Sequence, residues 1–239
     1  MSNIVVKDDF DNRKKRFFYF LFLAMNTETQ MALAELLERY PVLRDCTEDI
    51  VAAYNILYEC FEKDGFVFTC GNGGSAADAD HIVGELLKGF VLKRPLPQED
   101  KEKLVALGEP EGVELAEKLQ MGFRAMSLMN QTAIFTAAGN DLGGDTGPAQ
   151  QLNALGRKGD VLLGISTSGN AKNVALACQV AKMRGMKIIG LTGYKGGRLA
   201  SLADVCIKVP AGETFVVQEL HLPVYHALCI MVEKSFFEK

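Results

Sequence analysis

His81 and Glu85 are the first side chains in this sequence whose types and spacing could support chemistry. The chain contains only three histidines, His81, His221 and His226. His81 and Glu85 are four residues apart within a predicted helix, so they lie one turn apart on the same face. A carboxylate beside an imidazole can move protons on and off carbon and oxygen. A simple surface contact is the alternative explanation for a pair with this spacing.

The other two histidines belong to the segment QELHLPVYH, residues 218–226, in the predicted closing helix. Gln218 and His226 are eight residues apart, so they lie two turns apart on a similar face. His221 points elsewhere, and we expect it to be a packed or surface histidine. The three histidines of the chain are therefore confined to two predicted helices.

The segment STSGN, residues 166–170, follows the predicted strand VLLGI and precedes a predicted helix. It offers three consecutive hydroxyl groups, from Ser166, Thr167 and Ser168. Hydroxyl donors together with free backbone N–H groups at a helix N-terminus form an anion site, which suits a phosphate. The alternative is that one serine only caps the helix.

A second glycine-rich turn, GNGGSAAD, follows the apolar run GFVFTC. Gly71-x-Gly73-x-x-Ala76 fits the template of a dinucleotide-binding turn. Such a fold also needs an acidic residue about 20 positions further on, where this chain has VLKRP. The sequence therefore argues against NAD and favours a smaller phosphorylated ligand.

The elements that would position these residues alternate between strand and helix. The predicted strands are Gly65–Cys70, Phe123–Leu128, Val161–Ile165, Lys187–Leu191 and Val205–Val209. The predicted helices among and after them are Ser75–Lys88, Ala171–Arg184 and Val216–Phe237. Strands alternating with helices predict a parallel sheet covered on both faces. Ligands of such sheets bind beyond the carboxyl ends of the strands, where both glycine-containing turns lie.

Composition narrows the classes of partner. The net charge is −4 and charged residues make up 23% of the chain, so a nucleic-acid-binding surface is not indicated. The six cysteines include no C-x-x-C pair, which indicates buried reduced thiols in a cytoplasmic protein.

Two segments stand apart from the alternating pattern. RKKRFFYFLFLAM, residues 13–25, has an apolar run too short to span a bilayer. It is either a buried helix or part of an extension upstream of a true start at Met25. We therefore expect residues 1–27 to be an N-terminal extension and residues 28–239 to be one domain. Residues 91–122 are expected to be an insertion, either a solvated surface segment or an interface arm.

Together, GNGGSAADADH, GISTSGN, GND and QELHLPVYH resemble the sugar isomerase (SIS) family, and within it the phosphoheptose isomerases. The resemblance implies an α/β fold, a three-layer α-β-α sandwich with a five-stranded parallel sheet. It also implies a homotetramer with active sites at subunit interfaces, a small phosphosugar substrate, and no membrane or nucleic-acid partner. The implied reaction is aldose–ketose isomerisation of sedoheptulose 7-phosphate to D-glycero-D-manno-heptose 7-phosphate through a cis-enediol.

The same resemblance assigns roles to individual residues. Glu85 would be the general base and His226 the complementary acid and base on the oxygens. In members that bind zinc, the ligands correspond to His81, Glu85, Gln218 and His226, so one zinc ion per subunit is expected. The implied substrate-binding residues are Asn72, Gly73, Gly74, Ser75, Asp141, Ser166, Thr167, Ser168 and Gln218.

Two positions depart from the family pattern. Ala171 stands where a fourth serine is common, and Phe215 stands where an aspartate is usual. Two further functions are therefore kept as alternatives: isomerisation of another phosphosugar, and a non-catalytic SIS protein. The non-catalytic class comprises sugar-phosphate sensors and partners of a replication initiator; the presence of Glu85 and His226 favours an enzyme.

Overall fold

The computed structural model describes residues 20–108 and 110–238. The strands are β1 (Val67–Cys70), β2 (Ala125–Ser127), β3 (Val161–Ile165), β4 (Lys187–Gly193) and β5 (Val205–Val209). The helices are α1 (Thr27–Arg39), α2 (Thr47–Glu62), α3 (Gly74–Leu87), α4 (Gln98–Ala106), α5 (Glu111–Lys118), α6 (Thr132–Asp141), α7 (Gly147–Leu155), α8 (Lys172–Arg184), α9 (Gly197–Leu202) and α10 (Thr214–Phe237). A 3₁₀ helix, Pro41–Cys46, joins α1 to α2.

All five strands pair in parallel, in the order β2-β1-β3-β4-β5. Strand β2 pairs with one edge of β1, and the next strand in the chain, β3, pairs with the other edge of β1. The strand order therefore reverses between β1 and β3, and their carboxyl ends leave a crevice there. The predicted five-stranded parallel sheet is confirmed.

Helices cover both faces of the sheet, which gives the predicted three layers. Successive strand residues point to opposite faces, and Leu162 and Leu163 accordingly belong to different hydrophobic clusters. The cluster that contains Leu163 also takes in side chains of α1, α2, α3 and α10. The cluster that contains Leu162 takes in side chains of α7, α8 and α9. The helices that carry His81 and His226 thus share one face of the sheet.

Helix α10 is long and apolar enough to cross a membrane by length and composition. It nevertheless packs within the core, and residues such as Val217, Val224 and Met231 are fully buried. Its apolar character is that of a helix covered by the sheet and by α1, α2 and α3. Pro223 lies inside this helix without ending it.

The expected insertion is a pair of short helices, α4 and α5, on the surface. Helix α4 buries none of its residues. The two ends of the segment meet where Pro95 and Gln120 form an isolated antiparallel bridge and where the Met121 N–H donates to the Arg94 carbonyl at 2.7 Å. The two ends of the segment therefore lie together between α3 and β2, and its assignment as an insertion stays a prediction.

Most of the expected N-terminal extension, including the basic residues 13–16, lies outside the described residues. Residues 20–24 are helical, and Met25 is buried. Gln30 Nε2 donates to the carbonyls of Phe22 and Met25, each at 3.0 Å. The end of the extension is therefore tied to α1, and its boundary at residue 27 stays a prediction.

Candidate active site

A cavity of about 380 Å³ lies at the point where the strand order reverses. One wall is the turn that follows β1 and the other is the turn that follows β3. The residues lining it are Asn72, Gly73, Gly74, Ser75, Ile165, Ser166, Thr167, Ser168, Ala171, Thr214 and Gln218. Eight of the nine residues expected to bind substrate therefore line one cavity; the exception is Asp141.

The glycine turn after β1 brings the backbone close to α10. A Cβ atom on Gly74 would overlap the Gln218 carboxamide, which would have to move from its present position. Helix α3 begins at Gly74 without a side-chain cap. The positive end of its dipole therefore lies at the cavity, an arrangement suited to an anion, although the N–H groups of Ser75 and Ala76 already donate to the Asn72 and Gly73 carbonyls, each at 3.0 Å.

The turn after β3 uses part of its hydrogen-bonding capacity to hold its own shape. Ser166 is buried, and its Oγ accepts from the Ala171 N–H at 3.4 Å. The Ser168 Oγ accepts from the Asn170 N–H at 3.2 Å. Gly169 has a φ of +69°, and a Cβ there would overlap the Gly196 carbonyl. The internal hydrogen bonds and the glycine of this turn thus fix the positions of its hydroxyl groups at the cavity.

Asn72 and Asn173 join the two turns. Each carboxamide donates Nδ2 to the other's Oδ1, both at 2.8 Å. This paired contact spans from the turn after β1 to the first turn of α8. Asn72 therefore lines the cavity and also sets the separation of its two walls.

His81 and Glu85 form the pair that the sequence predicts, 3.1 Å apart between Nε2 and Oε1. Tyr225 of α10 lies behind His81, with its Oη 3.0 Å from Nδ1. Tyr225 Oη donates to Asp78 Oδ1 at 3.2 Å. Nδ1 of His81 is therefore placed to donate to Tyr225 Oη, and Nε2 lies against Glu85 Oε1. A proton or a cation shared between Nε2 and Oε1 satisfies both atoms.

Burial makes this cluster electrostatically distinct. The Glu85 side chain is 14% exposed; its Oε2 accepts no hydrogen bond, and Lys88 Nζ lies 3.7 Å away. Burial raises the pKa of Asp78, an effect that its hydrogen bond from Tyr225 and the nearby His81 oppose. Glu85 thus combines a largely shielded carboxylate with one oxygen that accepts no hydrogen bond.

His226, on α10, packs against the His81 ring of this pair. Its ring lies 5.0 Å from that of His81 between centroids and 5.3 Å from that of Phe90. Burial lowers the pKa of His226, as do the neighbouring His81 and Arg39, while Glu85 opposes the shift. The imidazole is therefore neutral at pH 7, and Nε2 is buried without a hydrogen-bond partner. A neutral imidazole with a free nitrogen can both give and take a proton.

The four expected zinc ligands lie on α3 and α10. His81 contacts both Glu85 and His226, and Gln218 lines the cavity between the two turns. Glu85 Oε2 and His226 Nε2 are buried polar atoms that a bound cation would satisfy, and mixed nitrogen and oxygen donors suit zinc. Within residues 20–108 and 110–238, no three His, Cys, Asp or Glu side chains are already gathered as a metal-binding group.

Four other positions from the sequence analysis have clear places. Asp141 ends α6, is exposed, and accepts from Asn140 Nδ2 at 2.7 Å. Ala171 lines the cavity, so the site where a fourth serine is common faces the ligand space. Phe215 is 64% exposed and does not line the cavity. His221 is fully buried and is a packing residue.

Tyr225 contacts the His81 and Asp78 side chains, and sequence reasoning missed it. It sits next to His226 in the segment YH, and Asp78 lies three residues before His81 on α3. The spacing from Asp78 to His81 is one helical turn, which was a usable signal. The contact from Tyr225 to both residues depends on how α10 packs against α3, and local spacing does not report that packing.

Comparisons of this chain with a family model and with known sequences point to the same family. A family model described as SIS domain matches residues 32–101 and 109–193. A phosphoheptose isomerase of Rhodospirillum rubrum is 38% identical over 194 residues, which cover 81% of this chain and 89% of that protein.

Two solved structures extend the comparison. A phosphoheptose isomerase from Neisseria gonorrhoeae is 34% identical with a TM-score of 0.66, covering 84% of this chain and 94% of that one. A phosphoheptose isomerase from Francisella tularensis is 26% identical with a TM-score of 0.64, covering 98% of this chain and 99% of that one. The sequence and the fold thus match the same group of proteins.

Proposed function

The chain belongs to the SIS-domain family and, within it, to the phosphoheptose isomerases, and on that premise we propose that it interconverts sedoheptulose 7-phosphate and D-glycero-D-manno-heptose 7-phosphate. The observation that carries this proposal is that α3 and α10 group Glu85, His81 and His226, while the same two helices also contribute Gly74, Ser75 and Gln218 to the hydroxyl-lined cavity. An aldose–ketose isomerase needs both parts, one to hold the phosphate and one to move protons.

The cavity between the two turns would hold the phosphate end of the sugar. Ser75, Ser166, Thr167 and Ser168 supply hydroxyl donors, and the start of α3 supplies the positive end of its dipole. Several donors converging on one centre suit the tetrahedral oxygens of a phosphate. Gln218, which lines the same cavity, would contact the sugar.

Glu85 would remove the proton from C1 of the ketose, beside its C2 carbonyl. The electron pair of the broken C–H bond then forms the C1–C2 double bond of a cis-enediol, and the carbonyl oxygen takes a proton. Return of a proton to C2 and loss of one from the C1 oxygen completes the aldose. The neutral His226 would carry the protons between the two oxygens.

We further propose that His81, Glu85, Gln218 and His226 bind one zinc ion per subunit. The two buried atoms without hydrogen bonds, Glu85 Oε2 and His226 Nε2, support this set. A bound zinc would act as a Lewis acid on the substrate oxygens. Tyr225 would orient the His81 ring for binding by accepting from its Nδ1.

The active unit is proposed to be a homotetramer in the cytoplasm, with active sites at subunit interfaces. His226 also lines a second cavity, of about 290 Å³, together with Glu35, Arg39 and Leu222 on the side of α10 that faces α1. Asp141 lies away from the phosphate cavity of its own chain, so its role as a substrate contact requires presentation to a neighbouring subunit. Free cysteines whose pKa is raised by burial, such as Cys60 at about 12, fit a reducing compartment.

A panel of ketose phosphates, assayed with and without a chelator, tests the substrate and the metal together. Loss of sedoheptulose 7-phosphate, faster than loss of any other ketose phosphate, is the expected result. Metal analysis of the same preparation should find zinc, and the chelator should slow turnover. Preference for another ketose phosphate would reassign the substrate. Absence of turnover across the panel, with capture of a replication initiator, would place the chain among the non-catalytic SIS proteins.

A further inference from the structure

Arg94 and Glu233 form a fully buried ion pair at the base of the insertion. Arg94 Nε donates to Glu233 Oε1 at 2.7 Å, and both side chains are 0% exposed. The Arg94 guanidinium also lies over the rings of Phe123 and Phe237, at 4.9 and 5.0 Å from their centroids. Glu233 belongs to α10, and Arg94 belongs to the segment just after α3. The pair therefore links the two elements that carry the candidate catalytic residues.

The remaining donors of Arg94 hold the end of α3. Nη1 donates to the Leu86 carbonyl at 2.9 Å, and Nη2 donates to the Glu85 carbonyl at 3.3 Å. The last carbonyls of a helix have no partner within the helix, so the guanidinium satisfies them with charge of the favourable sign. One of these carbonyls belongs to the candidate general base itself. Arg94 thus fixes the backbone position of Glu85.

The carboxylate of Glu233 accepts hydrogen bonds from the backbone of three residues that lie between α3 and Arg94. Oε1 accepts from the Phe90 N–H at 2.7 Å. Oε2 accepts from the N–H groups of Val91 and Leu92, at 2.8 and 3.0 Å. The Phe90 ring lies against His226, 5.3 Å between centroids. Glu233 thus holds the residue that packs against the candidate acid and base.

We propose that the Arg94–Glu233 pair is a positioning device that sets the distance and orientation between Glu85 and His226. This inference rests on the proposed isomerase function. A buried ion pair contributes little net stability compared with apolar residues of the same volume. The role of the pair here is geometric. Arg94 binds the carbonyls at the end of α3, and Glu233 of α10 binds the backbone of residues 90–92. Neither residue contacts the phosphate cavity, so both act through Glu85 and His226.

Arg94→Lys tests the device while keeping the charge. The lysine ammonium cannot reach Glu233 and both carbonyls with the planar geometry of a guanidinium. We expect kcat on sedoheptulose 7-phosphate to fall about 10- to 100-fold, because a displacement of about 1 Å of a catalytic group has an effect of this size. KM should change less than about twofold, since the phosphate cavity is untouched. Near-UV circular dichroism checks that the variant is folded.

Arg124→Lys is the matched control. Arg124 also joins two segments, donating to the Asp64 carbonyl, but its side chain is 54% exposed and lies over the Phe66 ring rather than against Glu233. This variant should keep the wild-type kcat. Folded Arg94→Lys with wild-type kcat would overturn the proposal.

If Arg94→Lys does not fold, Phe90→Leu tests the positioning role instead. Phe90 is only half-buried, so its replacement should leave the domain folded while removing the ring beside His226. We expect kcat to fall about 5-fold or more with little change in KM; an unchanged kcat would refute the device. Wild-type protein in the same assay separates the two proposals, since an inactive wild type contradicts the proposed function and not the positioning role.

Discussion

At the scale of single residues, the chemistry depends on side chains that act in contact with one another. Glu85 faces His81 at 3.1 Å, and His81 is held from behind by Tyr225. Tyr225 in turn donates to Asp78, so one ring nitrogen of His81 is committed to a partner and the other is turned to the proposed reaction. His226 closes the group from α10. Removing an outer member of such a chain should affect activity more than stability.

Tyr225→Phe is the first test at this scale. It deletes the hydroxyl that binds His81 Nδ1 and Asp78 while keeping the buried ring. We expect kcat to fall about 10- to 100-fold, since loss of a group that orients a ligand or catalytic histidine has effects of this size. Tyr54→Phe is the matched control: Tyr54 is also buried, and its hydroxyl bonds Ser235 instead. Steady-state kinetics on both variants should show a loss only for Tyr225→Phe; equal activities would contradict the role assigned to Tyr225.

His221 gives a prediction about stability and pH. Burial lowers its pKa to about 4, an effect only partly opposed by the Thr192 backbone, whereas a histidine in the unfolded chain titrates near ~6.5. Between these values the unfolded state binds a proton that the native state does not. The free energy of unfolding should therefore fall as the pH drops through this window, by about 2 kcal/mol between pH ~6.5 and ~5.

Urea unfolding at pH ~7.5 and ~5 checks this prediction in the wild type and in His221→Leu, at one protein concentration. The variant cannot bind the proton, so its free energy of unfolding should depend less steeply on pH in this range. The same pH dependence in both proteins would show that His221 is not the group responsible.

At the scale of elements, the turn after β1 must bring α3 and α10 close together. Gly74 allows the Gln218 carboxamide to approach the backbone, and a Cβ there would overlap it. The N-terminus of α3 thus lines the phosphate cavity, and its later turns carry His81 and Glu85. A change at the first turn should therefore disturb substrate binding more than proton transfer.

Gly74→Ala tests this element. The added methyl group must displace Gln218 or the turn, so we expect KM for sedoheptulose 7-phosphate to rise about 10-fold or more, since a small shift of positioning groups is costly. Gly84→Ala on the same helix is the control. A Cβ on Gly84 meets nothing within 4 Å, so this variant should keep its KM and gain up to about 1 kcal/mol of stability. A KM near the wild-type value in Gly74→Ala would contradict the close approach.

The elements themselves could be predicted largely from the sequence. Val161–Ile165 and Val205–Val209 have the bounds that were predicted, and the apolar runs of the other strands lie within a few residues of the observed ones. Clustering of the two turns also followed, because carboxyl ends of parallel strands share an edge. The contacts of Arg94 with Glu233 and of Tyr225 with His81 could not be predicted. They join residues 139 and 144 positions apart, and only the packing of α10 brings them together.

At the scale of the whole molecule, comparison with known proteins confirms the predicted family and fold, while the assembly stays a prediction. Asp141 is exposed and lies outside the phosphate cavity of its own chain. A homotetramer would allow such a residue to reach a neighbour's active site, and light scattering coupled to size-exclusion chromatography should find four chains. An active monomer would contradict the shared active site.

The rate of interconversion of sedoheptulose 7-phosphate and D-glycero-D-manno-heptose 7-phosphate, measured side by side for the wild type and Glu85→Gln, tests the central claim most directly. The amide keeps the shape of Glu85 but cannot accept the proton from C1. The wild type should interconvert the two sugars, and folded Glu85→Gln should be slower by about 100-fold or more, the size expected for loss of a general base. An inactive wild type, or a folded Glu85→Gln that works at the full rate, would contradict the account.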